Sequence, residues 1–152
     1  MSTGALTNED ASGGADGAPP VRGAEWRKRL EGLVPEGVGH RKVAILGCGS
    51  VGSFIACELV RAGVRDLLLV DPDHVEWPNL TRTVYGHRDV GRPKVEALAD
   101  CLQAIFADVK VTAKAVPIQM LGPTLREDFS GVSLVISAVD EPPATGFINR
   151  HC

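Results

Sequence analysis

Val43-Ala44-Ile45-Leu46-Gly47-Cys48-Gly49-Ser50-Val51-Gly52 is the stretch that decides how this chain folds. Its first four residues are a continuous apolar run, short enough for a strand and apolar enough to be buried on both faces. The run then breaks into G-x-G-x-x-G at Gly47, Gly49 and Gly52. In such a turn the first glycine permits a tight reversal. The second lets a phosphate approach the backbone, and the third lets the next helix lie close to the sheet. A helix is expected to follow, with Val51, Phe54, Ile55, Leu59 and Ala62 on its apolar side and Gly63 at its C-terminal end. Its first turn offers unpaired N–H groups and a partial positive charge to an anion.

Moving downstream, Leu67-Leu68-Leu69-Val70 is a second apolar run, ending at Asp71. Strand, glycine turn, helix and strand make a βαβ unit, whose strands are parallel. Asp71 lies 19 residues beyond Gly52, where a carboxylate can accept hydrogen bonds from both hydroxyls of a ribose. Taken alone, Asp71 also reads as a strand-end residue that caps the next turn. The unit points to an adenine nucleotide, with NAD and ATP not separated at this stage.

Residues 72–92 are polar and irregular, and Pro72 and Pro78 break any ladder. A loop this long inside a compact domain is often functional. Pro93 suits the start of a helix, whose stripe is Val95, Leu98, Ala99, Leu102 and Phe106. A third strand is expected over 109–116 and a short helix over 123–129. Leu134-Val135-Ile136 reads as a fourth buried strand leading to Asp140, and 143–152 as the opening of another helix. This order predicts an α/β fold, a Rossmann-like doubly wound, mostly parallel sheet. Because the chain stops as a helix begins, the domain is expected to be truncated after the fourth strand. Upstream, residues 1–21 are rich in Gly, Ala, Ser, Asp and Pro and read as a disordered tail. Residues 22–40 read as an amphipathic helix and linker, with Trp26, Leu30 and Leu33 on one face and Pro35 as the stop. Residues 41–152 are expected to form the nucleotide-binding domain, in part.

Bulk properties narrow the partners. The 152 residues suit one domain, and a net charge of -3 speaks against nucleic acid and against an anionic membrane surface. No apolar run approaches the ~20 residues of a membrane-spanning helix. The first residues lack the basic start and apolar core of a signal peptide, so a cytoplasmic protein is expected. Cys48, Cys57, Cys101 and Cys152 form no C-x-x-C pair, which argues for free thiols over a zinc site or disulfide framework.

The loop carries the more specific signal. It reads Asp71-Pro72-Asp73-His74-Val75-Glu76-Trp77-Pro78-Asn79-Leu80-Thr81-Arg82, then Gly91-Arg92-Pro93-Lys94. An acidic strand end, an N-L-x-R segment and a G-x-P-K segment opening a helix, in that order, resemble the ThiF/MoeB/HesA family of ATP-dependent adenylyltransferases, which includes ubiquitin-activating enzymes. The resemblance runs from about Lys42 to the C-terminus. It implies ATP and Mg²⁺ as cofactors, with Asn79, Arg82 and Lys94 on the phosphates and Asp140 on the metal. Arg82, Lys94 and Asp140 would then be catalytic. Gly47, Gly49, Gly52, Asp71 and Asp73 would surround the nucleotide, although Asp73 could equally brace the loop. Asn149 matches a family asparagine, whereas Glu141, Thr145 and the Pro142-Pro143 pair depart from the pattern.

The implied reaction explains the residue types. A carboxylate attacks the α-phosphate and expels pyrophosphate, so charge builds on phosphoryl oxygens that fixed cations can stabilise. The attacking carboxylate is already ionised near neutral pH, so no general base is required. The implied partner is a ubiquitin-like or sulfur-carrier protein, with a homodimer as the family's assembly. In that family an arginine from the partner's N-terminal region reaches ATP. Arg22, Arg27 and Arg29 lie in the corresponding region, and no motif selects one. Two alternatives stand beside this reading. An NAD-dependent oxidoreductase shares the turn and Asp71 but gives Asn79, Arg82 and Lys94 no common task. A non-catalytic nucleotide-binding fragment is the other. His74 and His87 read as ordinary loop residues, and neither Cys48 nor Cys152 as a nucleophile.

Overall fold

The computed structural model describes residues 23–35, 37–121 and 125–140. The tail expected over 1–21 and the helix expected over 143–152 lie outside them. Within the described residues, β1 (Lys42–Leu46), β2 (Asp66–Val70), β3 (Lys110–Lys114) and β4 (Val132–Ser137) form one parallel sheet in the order β3-β2-β1-β4. Helix α1 (Ser50–Ala62) joins β1 to β2, and α2 (Lys94–Ile105) joins β2 to β3.

Crossover handedness explains the layering. Two right-handed crossovers in the same direction put α1 and α2 on one face. The return from β3 to β4 reverses direction, so its short helix α3 (Leu125–Asp128) and the 3₁₀ turn Ile118–Leu121 belong to the other face. The strands serve both layers by alternation. Val43, Ile45, Leu67 and Leu69 pack with Ala56, Val60, Leu98 and Leu102. Ala44, Leu46, Leu68 and Val70 pack with Ile118 and Leu121. The strand order therefore reverses between β1 and β4, and in open α/β sheets the crevice at that reversal is where ligands bind.

Three expectations need correction. The buried face of α1 is Gly52, Ser53, Ala56, Cys57 and Val60, while Val51 and Phe54 are 61% and 51% exposed. The cause lies at Gly52, where an added Cβ would sit 1.8 Å from the Gly47 carbonyl oxygen. A helix pressed that close turns its small residues inward and its bulkier apolar ones out. The N-terminal element is a 3₁₀ helix, Gly23–Leu30, and not an α-helix reaching residue 34. Trp26 anchors it, with its ring centroid 4.9 Å from that of Phe106 and the Arg65 guanidinium 4.8 Å away. Leu33 is exposed, because Gly32 turns the path at φ 75° before it. Finally, β4 is not buried on both faces. It pairs with β1 alone among the described residues, and Leu134 is 50% exposed.

Gly63 closes α1 as expected, at φ 114°, and the Val64 N–H then donates to the Leu59 carbonyl. No helix among the described residues is long and apolar enough to cross a membrane.

Candidate functional site

The carboxyl ends of β1, β2 and β4 surround a crevice of ≈ 610 Å³, within the usual size of a small-molecule site. Its floor is the glycine turn. Gly47 adopts φ 93° and donates its N–H to the Val70 carbonyl at 2.8 Å. A Cβ on Gly47 would meet the Ala138 carbonyl oxygen at 2.7 Å, so the turn and the end of β4 approach as closely as backbones can. Gly49 differs: its φ of −77° is not left-handed, and nothing lies within 4 Å of where its Cβ would be. Gly47 and Gly52 thus serve the fold, and Gly49 borders open space in the crevice.

Asp71 is 5% exposed and fully engaged. One carboxylate oxygen accepts the Cys48 N–H at 2.6 Å and the other accepts the Asp73 N–H at 2.8 Å. The capping reading of this residue is therefore correct, and it ties the glycine turn to the start of the long loop. Asp71 also lines the crevice. A carboxylate oxygen has more than one lone pair, so the ribose role remains open to it as well.

The loop over 72–92 is more ordered than its sequence predicts. Its base is closed by Val75 N–H to Arg92 C=O and Gly91 N–H to Val75 C=O, both 2.8 Å. Val75 and Tyr85 plug it into the core at 1% and 4% exposure. Two 3₁₀ turns, Trp77–Thr81 and His87–Asp89, fill the rest. Asn79 organises the first. Its side-chain oxygen accepts the Glu76 N–H at 2.9 Å, and its carbonyl accepts both the Thr83 hydroxyl at 2.8 Å and the Arg82 N–H at 3.0 Å. Asn79 is buried and holds the turn that brings Arg82 to the rim, while its amide NH₂ remains a potential donor.

Lys94 opens α2, and its ammonium sits 2.7 Å from the Asp73 carboxylate with the lysine side chain only 11% exposed. The Lys94 N–H also donates to the Asp73 carbonyl at 2.9 Å. Asp73 therefore braces Lys94. Arg82 and Lys94 both line the crevice with Gly47, Gly49, Asp71, Asp73 and Asp140, and both line an adjoining cavity with Asn79 and Glu76. Among the described residues singled out for the nucleotide site, Asn79 lines only the adjoining cavity, and Gly52 lines neither, being buried beneath the turn.

Asp140 is exposed at the end of β4 and contributes a hard oxygen donor to the lining. No group of three or more His, Cys, Asp or Glu capable of holding a metal occurs among the described residues. The single Asp140 carboxylate fits the needs of Mg²⁺, which takes one or two carboxylates and completes its shell with phosphate oxygens and water. Cys48 is an unsuitable nucleophile: burial, and then the neighbouring Asp71 charge, push its thiol well above the usual range. Asn149 and Cys152 lie outside the described residues.

Two contributors escaped the sequence reading. Val116, Pro117, Ile118 and Gln119, after β3, form a further wall of the crevice. They match no motif, and β3 itself lies beyond β2, away from the β1–β4 reversal; the segment reaches the crevice because the chain leaves β3 to cross back over the sheet toward β4. Tyr85 is the other, and its hydroxyl donates to the Cys48 carbonyl at 2.5 Å.

These features define a Rossmann-like α/β domain whose glycine turn, acidic strand end and two cations face one crevice. The chain belongs to the ThiF family, whose model matches residues 34–152. Ubiquitin-like modifier-activating enzyme 5 of Culex quinquefasciatus is 37% identical over 127 residues, covering 77% of this chain and 32% of the relative. The tRNA threonylcarbamoyladenosine dehydratase of Bacillus subtilis (strain 168) is 38% identical over 114 residues, covering 72% and 42%. Among solved structures, E. coli MccB with ATP has a TM-score of 0.67 at 28% identity, covering 76% of this chain and 34% of that one. TcdA (CsdL) has a TM-score of 0.70 at 28% identity, covering 84% and 53%. The chain spans about a third of the length of the modifier-activating relatives it matches.

Proposed function

We propose that the protein binds ATP with Mg²⁺ in the crevice and adenylates the C-terminal carboxylate of a ubiquitin-like or sulfur-carrier protein. The observation that carries this reading is convergence. Arg82 from the loop, Lys94 from the start of α2 and the Gly49–Ser50 backbone all line one opening, with Asp140 in the same lining.

Each group has a task in the reaction. The first turn of α1 presents N–H donors to a phosphate, because the opening amides of a helix have no internal partner. Arg82 offers a planar fork of donors to the phosphoryl oxygens, and Lys94 a compact charge. Both stabilise the charge that builds as the carrier's carboxylate attacks the α-phosphate and pyrophosphate leaves. Lys94 must then share its ammonium between Asp73 and a phosphate. Mg²⁺ supplies charge neutralisation at the phosphates, and Asp140 would hold it. Asp71 accepts from the ribose hydroxyls, and the wall at 116–119 receives the base.

Kinship supports ATP over a nicotinamide cofactor, since E. coli MccB was solved with ATP. The nicotinamide reading also gives Arg82 and Lys94 no shared work. The carrier-protein substrate draws support from the relatives named as ubiquitin-like modifier-activating enzymes. A cytoplasmic homodimer, without nucleic-acid or membrane partners, completes the proposal.

ATP–pyrophosphate exchange in the presence of candidate carrier proteins tests it. Exchange is expected for the wild type and a loss of about 10²-fold for Arg82→Ala. Undiminished exchange in that variant would remove Arg82 from the mechanism. A thermal shift with NADH and none with ATP would replace the proposal with the nicotinamide reading.

A further inference from the structure

Tyr85 lies three residues beyond Arg82 and is buried, yet it carries a polar group. That hydroxyl donates to the Cys48 carbonyl, inside the glycine turn, at 2.5 Å. The Cys48 N–H is in turn held by Asp71 at 2.6 Å. Both backbone groups of a fully buried residue are thus clamped by side chains from other parts of the chain.

The clamp has a geometric consequence. The peptide between Cys48 and Gly49 is planar and trans, so its C=O and its N–H point in opposite directions. Turning the Cys48 carbonyl inward to Tyr85 turns the Gly49 N–H away from Tyr85. Gly49 lines the crevice, and the space where its Cβ would sit is open. The phenol is a dependable donor, because burial, then the neighbouring Cys48 and Asp71, holds it protonated far above its ordinary range.

We infer that Tyr85 is a positioning residue for phosphate binding: its hydroxyl fixes the peptide that aims the Gly49 N–H at a phosphate of the nucleotide, and it locks the Arg82 loop to that turn. The inference rests on the nucleotide reading above and deepens it. Tyr85 touches no substrate. It acts through the Cys48–Gly49 peptide.

The test compares ATP with adenosine, which lacks every phosphate, by titration calorimetry on the full chain as wild type and as Tyr85→Phe. The variant is expected to bind ATP about tenfold more weakly while adenosine binding stays unchanged. A role confined to stability would move both ligands together or neither, so a parallel loss or unchanged ATP affinity overturns the inference. Wild type that binds adenosine and ATP equally well also overturns it. Wild type that binds neither overturns the nucleotide reading itself. If Tyr85→Phe does not fold, amide NMR of the wild type decides. The Gly49 resonance is expected to shift with Mg·ATP and not with adenosine, and a resonance that stays put overturns the inference.

Discussion

The turn over Gly47–Gly52 and the loop over 72–92 border the same crevice, yet different forces hold them. Backbone sterics fix the turn: Gly47 needs a left-handed φ, and neither Gly47 nor Gly52 has room for a single methyl group. The loop is held by backbone N–H groups that donate to the side chains of Asn79, Asp71 and Asp89, and by the buried plugs Val75 and Tyr85. Its Arg82, by contrast, is exposed at the rim, and Lys94, just past the loop at the start of α2, is mostly covered and tied through its ammonium to Asp73. Changes in the turn should therefore act on folding, and changes on the loop's rim should act on chemistry.

The sharpest way to break this contrast is Gly52→Ala. Its Cβ would lie 1.8 Å from the Gly47 carbonyl oxygen, a backbone atom with no means of retreat. The expected cost exceeds about 4 kcal/mol, a large part of a domain's whole stability, and should be seen as loss of cooperative unfolding in denaturant. Arg82→Ala comes next and lies on the other side of the contrast. Pyrophosphate exchange should fall by about 10²-fold, while stability changes by less than about 0.5 kcal/mol. A variant that lost stability instead would make Arg82 a structural residue.

Gly49→Ala sharpens the comparison from within the turn. Space is open at its Cβ, so unfolding free energy should change by no more than about 1 kcal/mol, while ATP affinity drops by about tenfold or more as the methyl group occupies the phosphate's approach. Equal ATP affinity would show that Gly49 does not border the bound phosphates. Asp73→Asn has the smallest expected effect. It removes the partner 2.7 Å from the Lys94 ammonium and should lower kcat/KM for exchange by roughly threefold through lost placement of Lys94, with little change in melting temperature. A rise in kcat/KM would mean that Asp73 restrains Lys94 and does not place it.

Legibility followed the same division. The strands β1 and β2 could be read residue by residue, because a doubly buried parallel strand is an unbroken apolar run and no helix of that length would be. Asp71, Arg82 and Lys94 stood out through their spacing within segments that resemble a family, and all three line the crevice. The inward face of α1 was not legible. Apolar periodicity favours Val51 and Phe54, but closeness to the sheet at Gly52 selects the small residues Ser53, Ala56 and Cys57 instead. The Tyr85 hydroxyl bond was not legible either, since it spans 37 residues and depends on how the loop folds back over the turn.

What the sequence alone determined was the local grammar: which runs are strands, where the backbone must be glycine, and which charges sit on a loop long enough to reach a ligand. These depend on steric and apolar patterns within a few neighbouring residues. The tertiary structure alone decided which of those charges share a crevice, that Asp73 faces Lys94, and that a buried tyrosine meets the peptide before Gly49. Those pairings join residues far apart in the chain, and only the order of strands in the sheet and the path of the return loop bring them within hydrogen-bonding distance.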